Sequence, residues 1–184
     1  MEVKRGVARP RVGISRCLLG DAVRYDGTHR RDEGLIGALG RHVEWVPVCP
    51  EVEIGMGTPR EPIQLVAGLD GVPSAGALVR LIGVSSGRDW TGSMHAWARE
   101  RVRSLIPLNL AGYVFKARSP SCGIHGVPVQ DGDVERVGRG LFAQALIEAL
   151  PDLPVEDEAG LADPRAREAF LRRVFHHQEE GGRR

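Results

Sequence analysis

Each of the three cysteines in this chain follows a short apolar run: Val12-Gly-Ile-Ser15-Arg-Cys17, Trp45-Val-Pro-Val-Cys49 and Tyr113-Val-Phe-Lys116-Ala-Arg118-Ser119-Pro-Ser121-Cys122. The middle one continues as Pro50-Glu51-Val-Glu53, which sets a thiol and a carboxylate two residues apart. That pairing suits sulfur chemistry with an acid/base partner. Glu51 is the stronger candidate for a proton shuttle because it follows a proline-fixed cysteine; Glu53 is the weaker one. Near the third cysteine, the hydroxyls of Ser119 and Ser121 either hold substrate or water or satisfy the backbone of the turn. Lys116, Arg118, Arg24 and Arg60 can make a site for an anion or a carbonyl oxygen, and Tyr25 can stack on a planar ring. His95, His176 and His177 read as solvated.

In an open α/β sheet, ligands bind beyond the carboxyl ends of the parallel strands, where the loops diverge. If the three apolar runs are neighbouring strands, Cys17, Cys49 and Cys122 meet at one point despite their separation in sequence. Taken singly, each is more often an ordinary buried cysteine. Three in the same topological position argue for a joint role. Three thiolates with one vacant corner suit an iron-sulfur cluster. A Cys3His zinc site completed by His125 is a second option, although close-spaced cysteine pairs are missing. A lone nucleophilic cysteine is a third, and it leaves two thiols unexplained.

The elements that must position these groups follow from pattern. Residues 11–16 read as a buried strand, Arg24-Tyr-Asp-Gly27 as a polar loop, and Asp32 as the cap of a helix closed by Gly40. Residues 42–48 form the next strand, and such a crossover makes the two strands parallel. A Gly- and Pro-rich passage leads to two apolar runs, Ile63 to Ala67 and Ala77 to Val84, which predict a hairpin excursion near residues 62–84 around Asp70-Gly71 and Pro73. Thr91 to Ile106 carries Met94, Trp97, Ala98, Val102, Leu105 and Ile106 on one helical face. Leu110 to Phe115 is the strand before Cys122, and a polar loop with Asp131-Gly132 follows it. A helix from about Gly138 to Leu150 buries Leu141, Phe142, Ala145 and Leu146. Pro154 to Glu158 reads as an acidic linker. Asp163-Pro164 opens a last helix with Phe170, Leu171, Val174 and Phe175 inward, fraying from His176 onward. The expected fold is α/β, a three-layer sandwich with a mostly parallel, Rossmann-like sheet. Residues 1–152 form the thiol-bearing domain, and 153–184 a linker and C-terminal helix arm that contributes packing and no chemistry.

At 184 residues and a net charge of +1 with mixed signs, the composition argues against a nucleic-acid-binding face and points to a small-molecule partner. No apolar run reaches membrane-span length, and the start lacks a signal-peptide core, so a cytoplasmic protein is expected. An odd cysteine count there means free thiols, a metal or a cluster.

With these residues assembled, the chain resembles the thiouracil desulfidase family. The matching segments are Ser15-Arg-Cys17-Leu-Leu-Gly20 with Val23-Arg-Tyr-Asp-Gly27, then Pro47-Val-Cys49-Pro-Glu51-Val with Gly55 and Pro59-Arg60, then Lys116-Ala-Arg118-Ser119-Pro-Ser-Cys122-Gly123. Three separate motifs in this order, within about residues 11–150, make the signal specific. The resemblance implies an oxygen-sensitive 4Fe-4S cluster held by Cys17, Cys49 and Cys122, with one iron not bound by protein and free to take sulfur from a thiolated nucleobase. It implies catalytic roles for Glu51 and Ser119; from the residues themselves, substrate contacts are expected of Arg24, Tyr25, Lys116, Arg118 and Ser121. The implied reaction is non-redox desulfuration, 2-thiouracil-like to uracil-like, with release of sulfide and no requirement for nucleic acid or membrane. The alternatives are a cluster-dependent sulfur carrier or sulfurtransferase, and a non-catalytic iron-sulfur or zinc module sensing metal or redox state. Longer relatives carry a second domain, and Leu161 to Phe175 resembles the segment that joins it.

Overall fold

The computed structural model describes residues 9–68 and 79–181. A four-stranded sheet forms its centre, in the order β2 (Glu44–Val48), β1 (Arg11–Ser15), β5 (Gly112–Phe115), β8 (Val155–Asp157). Every pairing in it is parallel. The register sets Ser15 opposite Val48 and Ile14 opposite Val114, so the strands that precede the three cysteines end side by side. Pro47 is tolerated because β2 lies at the sheet edge, where a missing N–H can face away from the ladder.

Alternation along the strands feeds two cores. On one face Val12, Ile14 and Val114 meet Leu35 and Leu39 of α1 (Glu33–Leu39) and Phe170 and Val174 of α5 (Pro164–Gly181). On the other, Tyr113 and Phe115 meet α3 (Thr91–Leu105) and α4 (Leu141–Ala149). Helices thus cover both faces, the expected three layers. The Tyr113 ring stacks on Phe115 at 4.1 Å between centroids and fills the space above Gly13, where a Cβ would lie 2.1 Å from Tyr113 Cδ2. Asp32 caps α1 as expected, accepting the Leu35 N–H at 2.8 Å, a contact worth about 1 kcal/mol. Asp163 Oδ1 likewise accepts the Arg165 N–H at the start of α5.

A second sheet, β4-β3-β6-β7, was only half expected. β3 (Ile63–Ala67) and β4 (Val79–Gly83) are antiparallel, as the hairpin reading requires; the connection with Asp70, Gly71 and Pro73 lies outside the described residues. The loop expected after Gly123 is instead a second hairpin, β6 (Val127–Asp131) and β7 (Val134–Gly138), turning at Gly132-Asp133. Val127 and Val129 point into the core with Leu65 and Leu81, which is why this polar stretch is ordered as strand. β7 runs to Gly138, so α4 starts at Leu141.

Other expectations are corrected as well. The stretch read as an acidic linker contains β8, which takes its place in the parallel sheet because Asp157 caps Gly160 N at 2.8 Å and Glu156 pairs with Arg173 at 2.6 Å. The passage after Cys49 opens with a short helix, α2 (Pro50–Glu53), started by proline at its first position. The C-terminal helix does not fray at His176 but continues to Gly181. Ile106 and Phe175, expected inward, are exposed. No described helix is long and apolar enough to cross a membrane.

Candidate active site

Beyond the carboxyl ends of β2, β1 and β5 lies a cavity of about 320 Å³ lined by all three cysteines. Cys17 sits in a single 3-10 turn directly after β1 and is partly exposed, whereas Cys49 and Cys122 are buried. Glu51 and Ser119 line the same cavity, and so do Arg24, Tyr25, Lys116 and Arg118. Ser121 does not. Its carbonyl accepts the Phe142 and Ala143 N–H groups of α4, and its side chain is fully buried with no hydrogen-bond partner. His125 also stays away from the cavity, exposed and 3.6 Å from Asp157.

The two glutamates after Cys49 separate by geometry. Glu51 Oε2 lies 3.5 Å from the Cys49 sulfur, and the residue is 9% exposed. Glu53 turns the other way: its Oε1 accepts the Cys49 N–H at 3.1 Å, and its Oε2 pairs with Arg101 Nε of α3 at 3.3 Å. Glu53 therefore closes the first turn of α2, as a capping glutamate does, and leaves Glu51 as the carboxylate facing the thiol.

Ser119 serves the turn and keeps a proton to give. Its Oγ accepts the N–H groups of Cys122 at 3.1 Å and Ser121 at 3.3 Å, so its own O–H remains available as a donor. Lys116 has its ammonium on the Glu158 carboxylate and on the Ala117 carbonyl, and Glu158 also takes the Ala117 N–H at 2.6 Å. Arg24 is drawn back over its own loop, bonded to Asp26 at 3.1 Å and Thr28 at 2.8 Å, with its guanidinium 5.2 Å from the Tyr25 ring centroid. Arg118 is exposed at the rim with left-handed backbone at φ 58°.

The surroundings of all three thiols disfavour the thiolate form. Burial, with the charge of Glu51 adding to it, pushes Cys17 up to about 11. Burial and the same carboxylate push Cys49 up to about 12, against the pull of Arg60. Cys122 is raised well above its ordinary value by burial and then by Glu51, with a hydrogen bond from Ser15 opposing the rise. Three thiolates in this cavity therefore need positive charge from whatever they bind. Among the described residues, no three His, Cys, Asp or Glu side chains are grouped so as to hold a metal ion.

Two supporting residues were not legible as such in the sequence. Ser15, 2% exposed at the end of β1, accepts the Lys116 N–H at 2.9 Å and so ties the β1 end to the β5 end beneath the thiols. Gly140 lets α4 meet the cysteine loop backbone to backbone: a Cβ there would lie 2.4 Å from Ser121 C and 2.7 Å from Cys122 N. Gly140→Ala is expected to push the Ser121–Cys122 backbone aside and lower iron occupancy after reconstitution, with the far-UV circular dichroism nearly unchanged. Iron analysis beside the spectrum checks it.

The three-layer α/β fold brings three cysteines and a glutamate to one cavity beyond the carboxyl ends of its parallel strands, the place where such folds bind ligands. The model of the 2-thiouracil desulfurase family matches residues 12–158, and the chain belongs to that family. The uncharacterized protein YbbK of Bacillus subtilis (strain 168) is 32% identical over 110 residues, 60% of this chain and 71% of the relative. Among solved structures, the 4Fe-4S-dependent thiouracil desulfidase TudS superposes with a TM-score of 0.66 at 26% identity, covering 89% of this chain and 99% of that one.

Proposed function

We propose that this protein is an enzyme that removes sulfur from a thiolated nucleobase of the thiouracil type, in a reaction dependent on a 4Fe-4S cluster. The observation that carries the proposal is the convergence of Cys17, Cys49 and Cys122 on one cavity with the Glu51 carboxylate 3.5 Å from the Cys49 sulfur. The donor set fits the cluster: three soft sulfur ligands at the ends of adjacent strands, in surroundings that favour thiolates only beside a cationic core. Cys17, Cys49 and Cys122 would hold the cluster, and it would supply a Lewis acid for the substrate sulfur.

The chain supplies the rest. The thiocarbonyl compound and water become the carbonyl compound and hydrogen sulfide, so atoms balance with no net electron transfer. Glu51 Oε2 takes a proton from the attacking water and returns it toward the departing sulfur. The Ser119 hydroxyl, fixed by the two N–H groups it accepts, donates to the reacting group. Tyr25 and Arg24 at the rim pack on the flat ring, and Arg118 faces its polar edge. Lys116, neutralised by Glu158, holds the β5 and β8 ends together beside the ring site. The test is multiple-turnover loss of 2-thiouracil absorbance by anaerobically reconstituted protein, with one sulfide released per uracil formed. Sulfur left on the protein after one turnover, with none released, would assign a sulfur carrier instead.

A further inference from the structure

Arg60 is buried at the cavity wall in an arrangement that stability alone does not explain. Its side chain is 7% exposed, and its Nε is buried with no partner. Its nearest carboxylate oxygen, Glu51 Oε2, is 4.0 Å from Nη2, well beyond the close bidentate contact that an optimised Arg–carboxylate pair makes. A buried charge so incompletely paired is costly, and each such group asks for a reason. The bonds it does make point to one. Nη1 donates to the Val23 carbonyl and to the Gly57 carbonyl, each at 2.9 Å, and the Arg60 backbone N–H donates to the Tyr25 carbonyl at 2.8 Å. The Val23 and Tyr25 carbonyls belong to the loop that carries Arg24 and Tyr25, and Val23 O is itself 3.9 Å from the Cys49 sulfur.

We propose that Arg60 is a positioning residue that joins the rim loop to Glu51, so that one guanidinium fixes both how the substrate ring is enclosed and where the proton carrier stands. This rests on the desulfuration reading above. The planar fork is what the role requires: one arm reaches the loop carbonyl while the other faces the carboxylate, in directions that a lysine ammonium cannot serve together. The arrangement also explains why Arg60 is buried while Arg24 and Arg118 stand at the cavity rim.

The experiment compares wild type, Arg60→Lys and Arg60→Met as full chains, reconstituted anaerobically, with three readouts. Iron content and the visible spectrum are expected to stay unchanged. Tryptic cleavage after Arg24 is expected to accelerate about tenfold in both variants, the order set by losing a charge-assisted bond that holds the closed loop. With 2-thiouracil, KM is expected to rise and kcat to fall, each by about tenfold, because the loop and the carboxylate are released together. Loss of iron in both variants would overturn the proposal by making Arg60 a support of the cluster. Faster cleavage with kcat unchanged would overturn it too, leaving only a loop anchor. Should wild type itself fail to turn over 2-thiouracil, the desulfuration reading falls, and the cleavage rates still decide whether Arg60 holds the loop.

Discussion

Anaerobically reconstituted protein is expected to bind about four irons, and Cys17→Ala, Cys49→Ala and Cys122→Ala each to bind no more than a trace. The cavity disfavours free thiolates. Burial and the charge of Glu51 raise all three, so a thiolate at any of these positions would need a cationic core to offset its desolvation and the neighbouring carboxylate. Removing any one leaves two anionic ligands at a cavity that has no other described cysteine to substitute. The expected loss is therefore nearly complete in each case and not graded by exposure, even though Cys17 is the least buried of the three. Alanine leaves the backbone hydrogen bonds of each turn in place, so the folded circular dichroism should survive and separate ligand loss from unfolding. Stoichiometric zinc in anaerobically purified protein, with no iron uptake, would sink the cluster assignment.

The meeting of the three cysteines at one cavity was legible in the sequence because each follows a strand-like run and crossovers make such strands parallel, so their ends coincide. What stayed hidden depended on contacts between distant residues. Val155-Glu-Asp157 offers only three residues, two of them acidic, and reads as a linker; its charges are matched by Arg173 and the Gly160 N–H, which no local pattern announces. The β6 run was masked by Pro128, a residue that demotes a strand, yet pairing with β3 begins only at Val129. At the site, the place of Glu51 just after the proline-fixed Cys49 already ranks it above Glu53 in the sequence. What no spacing announces is the task Glu53 has instead, which the helical turn of α2 sets by bringing it back to the Cys49 N–H and toward Arg101. Lys116 was visible as a rare lysine, but the carboxylate that neutralises it stands at position 158, past the stretch where chemistry was expected.

Glu51→Gln is expected to lower turnover per intact cluster by about 10²- to 10⁴-fold, the range for a group that moves a proton in the rate-limiting step. Glutamine keeps the size of the side chain and a hydrogen-bonding oxygen near Cys49 but cannot take the proton from water. Because Glu51 is not a ligand in this assignment, iron content should hold. The loss should appear in kcat with KM little changed, which distinguishes it from the Arg60 variants, where both move. Glu53→Gln is the matched control. Its amide oxygen can still accept the Cys49 N–H, and it gives up only the charge opposite Arg101 in a pair that is partly exposed on both sides, so activity per cluster should stay within a few-fold of wild type. Ser119→Ala should fall between the two, since it removes one donor and loosens the Cys122 turn without removing the base. All three are to be measured anaerobically with one thiolated pyrimidine and normalised to iron. If Glu53→Gln loses turnover while Glu51→Gln keeps it, the carboxylate that faces the sulfur is not the proton carrier, and the role passes to the one that caps the turn.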